Sequence, residues 1–440
     1  MKNNLIFTMS LVVIITIAVI INGCAQVPIQ PITPDGNNQS IQNGTGTEQN
    51  LSVNESTLPV DALVFNSIVD ANNQFALDLY ARYESTEGNL FFSSYSISSA
   101  LAMTYEGAKG KTAQEMRAVL HLPEDKTQIR TDYAALYAGL NNPDKPYRLA
   151  VANALWAQND YPFNQDYLSV VEQYYDGKVT NLDFKSDAEG SRKTINSWVE
   201  EKTNQKIKDL IPAGALDSLT RLVLTNAIYF KANWSEQFDA EDTRDGKFTL
   251  LSGDKKDVNM MHRTGMYAYG ETEDAQLLEM PYLGDDLSML VILPKEGKTA
   301  AVENALSTAQ LAELKQSMTP EKVAVSMPKF KFETKYFMAK DLQAMGMPTP
   351  FSENADFTGM SSAENLSISQ VIHQTFVEVA EYGTEAAAAT AVIIRASSAG
   401  PGEPENIKIF NADHPFIFII QQRDTGNILF MGRMSNPSNP

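Results

Sequence analysis

The sequence predicts an α+β fold. Segments with helical spacing of apolar residues are mixed with short apolar or alternating runs typical of strands, without regular βαβ alternation or an internal repeat. The chain has 440 residues, 43% of them hydrophobic, with only 20 Pro and 24 Gly. This length and composition are sufficient for one large core or two moderate ones.

The first long amphipathic stretch follows a compositional break near Val60, and globular patterning continues from there to the C-terminus. Its apolar residues recur at helical spacings between Leu63 and Leu79. Helices are also predicted at 96–107 and 194–210. Strands are predicted at 221–230, 288–293, 322–327 and 416–421.

The N-terminus has the layout of a secretory signal peptide, residues 1–23. A short polar start with Lys2 precedes a largely apolar stretch from 5 to 21, and small residues lead to Cys24. The string Ile-Asn-Gly-Cys resembles a lipobox, although Asn22 is a less usual occupant of its position. This resemblance implies a lipid on Cys24. The alternative is that the apolar stretch remains as an uncleaved membrane anchor. Both interpretations place the rest of the chain outside the cytoplasm.

Residues 24–59 are predicted to be a flexible linker, and residues 60–440 the folded domain. The linker is mostly Gln, Asn, Thr, Ser, Gly and Pro, and cannot bury enough apolar surface to offset the entropy of ordering. It contains Asn-x-Ser/Thr sequences at Asn38, Asn43, Asn50 and Asn54. Tracts of this composition produce such sequences by chance, so they do not establish glycosylation.

Charge and residue content exclude several classes of function. Lys and Arg total 35 against 54 Asp and Glu, and a net charge of −19 disfavours nucleic acid and anionic membrane surfaces as partners. The single cysteine excludes an intramolecular disulfide. Four histidines without an HExxH arrangement predict neither a metal site nor a cofactor. We therefore expect no metal and no cofactor.

Two enzyme motifs are also missing. No G-x-S-x-G elbow supports a serine hydrolase. Residues 107–112, GAKGKT, imitate the end of a P-loop, but Tyr105 occupies the position of its first glycine and the segment follows a predicted helix rather than a strand.

Six segments, in order, resemble the serpin family over about residues 60–437. They are NLFFSSYSISSALAMTYEGAKGKTAQEM from Asn89, NSWVEEKTNQKIKDLIP from Asn196, TNAIYFKANW from Thr225, MPKFKFETKY from Met327, EYGTEAAAATA from Glu381 and NADHPFIFIIQQRDTGNILFMGRMSNP from Asn411. The resemblance implies several helices packed on three β-sheets with an exposed reactive-centre loop. It also implies a suicide inhibitor of serine proteases and not an enzyme.

In the mechanism that the resemblance implies, a protease cleaves the loop, the loop inserts as a new central strand, and the acyl-enzyme is trapped. An inserting strand needs period-2 patterning, without proline and with little charge on its buried face. From Thr384 to Ile394 one parity is small or apolar, whereas Glu385 and Arg395 share the other parity. The residues assigned to the hinge are Glu381, Gly383, Thr384, Glu385, Ala386, Ala387, Ala388 and Ala389.

The resemblance also assigns residues that control sheet opening. Ser93, Ser96, Asn226 and His373 match a buried polar cluster, the shutter, and Trp234 matches a tryptophan at the upper end of the central sheet, the breach. Ser94 departs from the family pattern, which usually has proline there. For His373 and Trp234 the alternative is that they are core residues whose hydrogen bonds are satisfied and that have no role in switching.

The reactive bond is expected about fifteen residues after Gly383, between Ser397 and Ser398. A small residue before this bond suits subtilisin-like or elastase-like proteases. Arg395 is the alternative and would suit trypsin-like proteases, but it would shorten the inserting segment by two residues.

The predicted function is therefore covalent inhibition of extracellular serine proteases by a monomer that is lipid-anchored to the cell envelope or secreted. Two alternatives remain: a non-inhibitory serpin acting as a binding or chaperone-like protein, and a solute-binding lipoprotein. The small residues of the hinge disfavour the first alternative, and the family motifs disfavour the second.

Overall fold

The helices surround two sheets. The computed structural model describes residues 67–362, 366–384 and 406–438, which form nine α-helices, two short 3-10 helices at 240–242 and 349–351, and fifteen strands. The helices are α1 Ile68–Tyr83, α2 Ser94–Tyr105, α3 Gly110–Val119, α4 Lys126–Leu140, α5 Gln165–Tyr175, α6 Ala188–Lys202, α7 Thr299–Ala305, α8 Thr308–Gln316 and α9 Ala339–Ala344. None of these helices is long and apolar enough to cross a membrane.

The strands divide between a six-stranded central sheet and a nine-stranded second sheet. The central sheet has the order β10-β11-β12-β4-β2-β3, and the second sheet has the order β1-β15-β14-β8-β7-β6-β9-β13, with β5 paired to β6. The strands are β1 Leu90–Phe92, β2 Tyr147–Gln158, β3 Lys178–Leu182, β4 Leu222–Asn233, β5 Arg244–Thr249, β6 Lys255–Glu271, β7 Ala275–Pro281, β8 Leu287–Pro294, β9 Thr319–Pro328, β10 Phe330–Phe337, β11 Ile368–Ala380, β12 Gly383–Thr384, β13 Lys408–Asn411, β14 Phe416–Gln422 and β15 Ile428–Met434.

The α+β class is confirmed, but hydrogen bonds connect the described strands into two networks rather than three separate sheets. The cause is β6, which has 17 residues. Its first part pairs with β5, its last residues pair with β7, and β9 pairs with it between Met260 and Tyr269. One long strand therefore joins two sheet portions that would otherwise be separate.

Three clusters of buried apolar side chains hold these layers together. One cluster lies between the two sheets and includes Phe230 of β4 and Phe430 of β15. A second packs α1 and α2 against both sheets, and α2 is buried at every one of its positions. A third packs α6 on the other face of the central sheet, through Ile195 and Val199. The central sheet is thus covered on both faces.

The predicted strands at 221–230, 288–293, 322–327 and 416–421 are confirmed as β4, β8, β9 and β14. The prediction of a helix at 194–210 is wrong for residues 203–210, because α6 ends at Lys202. Asn204 and Gln205 have positive φ values of 51° and 62°, which an α-helix does not allow. The side chain of Thr203 donates a hydrogen bond to the Val199 carbonyl at this end.

Candidate functional site at the seam of the central sheet

The strands β4 and β11 lie side by side in the middle of the central sheet and run parallel. Their paired residues extend from Leu222 opposite Ile368 to Tyr229 opposite Phe376. The outer neighbours of both strands, β2 and β10, are antiparallel to them. We call the boundary between β4 and β11 the seam. It is the place in this sheet where one more antiparallel strand would pair on both of its sides.

The strand β12 already occupies the upper end of the seam. Gly383 pairs with Asn233 of β4 and with Ala380 of β11, and Thr384 pairs with Ala232 and Val379. Both pairings are antiparallel. The two residues therefore form the beginning of an inserted strand, while the parallel pairing of β4 with β11 continues below them.

Gly383 is required by the close approach of β12 to β4. Its φ is +154°, a value that residues with a side chain rarely adopt. A Cβ atom at this position would lie 2.1 Å from the Ala232 carbonyl oxygen and 2.6 Å from Asn233 Cα. Because both neighbours are backbone atoms, a side chain here would displace β12 from β4.

Thr384 lies over an aromatic pair at the breach. Its hydroxyl is 2.6 Å from the Tyr282 hydroxyl, and its side chain is buried. The Tyr282 ring stacks on Trp234, with 4.5 Å between centroids and 10° between ring planes. The indole N–H of Trp234 donates to the Ala380 carbonyl at 3.0 Å. Burial raises the pKa of Tyr282, so its hydroxyl remains a neutral hydrogen-bonding group.

Glu381 fixes the turn that leads into β12. Its carboxylate pairs with the Lys329 ammonium at 3.0 Å and accepts a hydrogen bond from the Thr243 hydroxyl at 2.8 Å. Burial opposes ionisation of this carboxyl, but hydrogen bonds from its own backbone N–H, Lys329 and Thr243 hold its pKa below the usual value. The Phe238 backbone N–H donates to the Glu381 carbonyl at 2.9 Å. The hinge is anchored on both its main chain and its side chain.

Lower on the seam, the structure brings Ser93, Ser96, Asn226 and His373 together. Asn226 and His373 are opposite each other in the pairing of β4 with β11. The backbone N–H of Ser93 donates to His373 Nε2 at 3.1 Å, so this nitrogen carries the lone pair. The proton is then on Nδ1, which donates to the Asn226 side-chain oxygen. One imidazole therefore connects α2, β4 and β11.

Asn153 of β2 completes this cluster and was missed in the sequence. The Asn226 amide donates to the Ser96 hydroxyl at 2.5 Å and to the Asn153 side-chain oxygen. The Ser96 hydroxyl is 3.4 Å from that same oxygen. The available signal was an asparagine on the inward parity of β2, between the apolar residues Leu149, Val151 and Leu155 of the same parity, but nothing local identifies its partner.

The serines at the start of α2 hold the helix in place below the sheet. The Ser93 side chain caps α2 by accepting from the Ser96 backbone N–H at 3.2 Å, and its hydroxyl donates to the Leu429 carbonyl at 2.7 Å. Ser94, at the position where the resemblance implies proline, donates to the Ile428 carbonyl at 3.0 Å. This hydrogen bond restrains the helix start where a proline ring would have done so.

Other predicted site residues lie outside the described residues. They are Cys24, Glu385, Ala386, Ala387, Ala388, Ala389, Arg395, Ser397 and Ser398. Within the residues that the structure describes, no group of three or more His, Cys, Asp or Glu side chains is arranged to hold a metal ion.

Comparison with known proteins identifies the family. Residues 70–437 match the family Serpin, described as serine protease inhibitor. The chain belongs to the serpin family. An uncharacterized serpin-like protein of Thermococcus kodakarensis is 48% identical over 371 residues, which cover 84% of this chain and 86% of that protein. Leukocyte elastase inhibitor of Bos taurus is 40% identical over 378 residues, covering 83% and 98% of the two chains.

Solved serpin structures superpose on the same part of the chain. Uncleaved ovalbumin matches with a TM-score of 0.76 and 31% identity, covering 84% of this chain and 100% of its own. Human thyroxine-binding globulin complexed with thyroxine matches with a TM-score of 0.77 and 31% identity, covering 84% and 99%. Serpins are protease inhibitors at the level of the family, but both of these relatives are non-inhibitory members.

The shutter predicts a specific pH dependence of stability. Burial lowers the pKa of His373 from 6.5 to about 3. Between these values the unfolded chain binds a proton that the folded chain does not, so the free energy of unfolding falls as the pH falls below 6.5. We expect His373 to contribute a slope of up to about 1.4 kcal/mol per pH unit. Above pH 6.5 it contributes no slope.

Urea unfolding between about pH 5 and 7, above the range where most carboxylates titrate, measures this slope. His373→Gln should reduce it, whereas Thr131→Ala, at an exposed position on α4, removes no titratable group and should leave it unchanged. Equal slopes in wild type and His373→Gln would mean that His373 does not titrate in this way.

Proposed function

We propose that this serpin inhibits serine endopeptidases by the suicide-substrate mechanism. The observation that carries the proposal is the position of Gly383 and Thr384, which pair antiparallel with both β4 and β11 at the head of the seam. The residues that follow them, 385–394, continue the pattern of small or apolar side chains on one parity. Further insertion would extend a strand that has already begun.

The chemistry begins as ordinary proteolysis. The serine hydroxyl of the protease attacks the carbonyl carbon of the reactive bond, the C–N bond breaks, and the leaving amine takes the proton. The product is an acyl-enzyme ester on the loop and a new N-terminus. Insertion of the cleaved loop into the seam then carries the protease away and distorts its active site before water hydrolyses the ester.

The driving force for insertion is the pairing of a new strand. Ten or more backbone hydrogen bonds at roughly 0.5 to 1.5 kcal/mol each, together with burial of the inward side chains, would outweigh the loss of the parallel pairs between β4 and β11. The closed state is then metastable, and cleavage releases its stored free energy. Antiparallel pairing is also slightly more stable per residue than the parallel pairing that it replaces.

We place the reactive bond between Ser397 and Ser398, with Arg395 as the alternative residue before the bond. Cleavage after Ser397 leaves fourteen residues between Gly383 and the bond, whereas cleavage after Arg395 leaves two fewer on the inserting side of the same loop. A longer inserting segment carries the acyl-enzyme farther before hydrolysis. The first choice implies subtilisin-like or elastase-like targets.

A second candidate function is suggested by the relatives. Because ovalbumin and thyroxine-binding globulin share this fold at 31% identity, a non-inhibitory serpin acting by binding is the alternative. The buried Thr384 and the four alanines after Glu385 favour inhibition, since bulky or charged hinge residues would oppose insertion.

Incubation with subtilisin, elastase and trypsin tests the proposal directly. We expect a complex with at least one protease that survives SDS, since the acyl ester is covalent. The N-terminus of the released fragment identifies the bond as Ser397–Ser398 or as the bond after Arg395. Cleavage of the loop by every protease without such a complex would favour the non-inhibitory alternative.

The hinge provides a second test. In Thr384→Arg the guanidinium would replace a buried hydroxyl beside Tyr282, and burial of an unpaired charge opposes insertion. The number of inhibitor molecules consumed per protease should rise by about tenfold or more, because insertion slows relative to hydrolysis. Thr384→Val, which keeps the shape of the side chain, and Thr131→Arg, at an exposed position on α4, should remain inhibitors. Full-rate inhibition by Thr384→Arg would contradict the proposed insertion.

We also propose that the protein is extracytoplasmic and lipid-anchored through Cys24 after removal of residues 1–23. The lipobox resemblance supports this proposal. In a host that carries out this modification, Cys24→Ala should move the protein from the membrane fraction to the soluble extracytoplasmic fraction, whereas Asn38→Ala in the linker should not. Retention of Cys24→Ala in the membrane would indicate an uncleaved apolar anchor instead.

A further inference from the structure

A basic groove lies on the outer face of the central sheet, beside the upper end of the seam. The groove has a volume of about 950 Å³. Its walls are the upper ends of β2 and β4, the chain between α4 and β2, and the C-terminal end of α6. Among the described residues that line it, the basic ones are Lys145, Arg148, Lys202 and Lys231, and none is acidic.

Two of these cations are held opposite each other by the sheet. Arg148 of β2 and Lys231 of β4 are direct cross-strand partners. The adjacent pair, Leu149 and Phe230, points into the core between the sheets, so Arg148 and Lys231 share the outer face. Like charges directly opposite each other on neighbouring strands are destabilising. The sheet therefore carries a repulsion that a bound anion would relieve.

Three of the four cations in the groove are not neutralised by the described part of the protein. Within the described residues, Arg148, Lys202 and Lys231 form no ion pair and donate no side-chain hydrogen bond, whereas Lys145 pairs with Asp286 at 2.7 Å. Three uncompensated cations in one groove contrast with the whole chain, in which 54 acidic residues outnumber 35 basic ones. The net charge, which disfavours nucleic acid and anionic membrane surfaces as partners, therefore does not describe this local surface.

We propose that this groove binds a ligand carrying two or more phosphate groups. A phosphate concentrates more negative charge and more acceptor oxygens than a carboxylate, and both Arg and Lys bind it well. The groove is larger than one phosphate requires, and the three free cations come from β2, β4 and α6. A ligand with several phosphates would contact all three elements at once.

The position of α6 gives this site a consequence for the seam. Ile195 and Val199 of α6 belong to one buried cluster with Ala227 of β4 and Ile372 of β11, and the helix itself lies against β2. A ligand that bridges Lys202 at the end of α6 to Arg148 and Lys231 would fix the helix to β2 and β4. It would thereby slow opening of the seam and loop insertion. This consequence rests on the proposed inhibitory function, whereas binding itself does not.

Titration calorimetry on the purified protein tests binding, with tripolyphosphate and inositol hexakisphosphate as the probes and with citrate as a carboxylate whose charge approaches that of tripolyphosphate. We expect both phosphate probes to bind more tightly than citrate, with affinity that falls as salt is added. The relative affinities of the two probes distinguish condensed phosphate from a phosphate ester. Absence of binding by both probes, or tighter binding of citrate, would overturn the proposal.

A double variant locates the site. Arg148→Gln combined with Lys231→Gln should lower the affinity for the better probe by about tenfold or more, through loss of two charge-assisted contacts. Its thermal midpoint without ligand should equal or exceed that of wild type, because the cross-strand repulsion is removed. Lys340→Gln, at an exposed lysine on α9, is the matched control and should bind as wild type does. Unchanged affinity in the double variant would place the ligand elsewhere and overturn the assignment.

The consequence for insertion is measured with the protease that forms a covalent complex. The better probe should lower the rate of inhibition of that protease by wild type but not by the double variant. If the probe binds but the rate of inhibition is unchanged, only the proposed bridging to α6 is overturned, and the proposed binding stands. If no protease forms a complex, the proposed function fails, and the calorimetry still decides whether the groove binds phosphate.

Discussion

The parallel pairing of β4 with β11 is the constraint on which the rest of the structure depends. On its outer side, each strand forms backbone hydrogen bonds with an antiparallel neighbour. The two halves of the sheet are joined only at the seam. The seam comprises eight pairs of residues, from Leu222 opposite Ile368 to Tyr229 opposite Phe376. A sheet closed in this way is continuous, yet it keeps one boundary where an antiparallel strand would replace weaker parallel pairing on both sides.

The contacts along the seam differ from top to bottom, and this order determines how it can open. At the top, Gly383 and Thr384 already separate the strands. In the middle, His373 connects across to Asn226 and to the start of α2, and none of the polar side-chain atoms of these two residues or of Asn153 is left unpaired. A fully satisfied buried network resists opening because each lost hydrogen bond exposes a desolvated group. Loop insertion of the kind proposed would therefore have to disrupt the shutter in order to pass this point.

The sequence predicts local features well and long-range partnerships poorly. The strand at Leu222–Asn233 and the helix at Ser94–Tyr105 follow from apolar patterning, and the order of family motifs implies the fold. The end of α6 was missed because a left-handed conformation is unusual for a glutamine, and Gln205 adopts one directly after Asn204. Asn153 was missed because its partner, Asn226, is 73 residues away in the sequence. Cross-strand register, and not composition, also places Arg148 opposite Lys231.

The groove and the seam are connected through β4 itself. Lys231 immediately precedes Ala232 and Asn233, which pair with the hinge, so any displacement of β4 that widens the seam also moves a wall of the groove. If α6 must shift while β4 moves, the distances from Lys202 to Arg148 and Lys231 change as well. A multivalent ligand senses that change because its phosphates have fixed spacing. Thermodynamic reciprocity then requires that a ligand which favours the closed seam be bound less tightly once the seam has opened. The sheet would in this way make loop insertion and ligand release two aspects of one equilibrium.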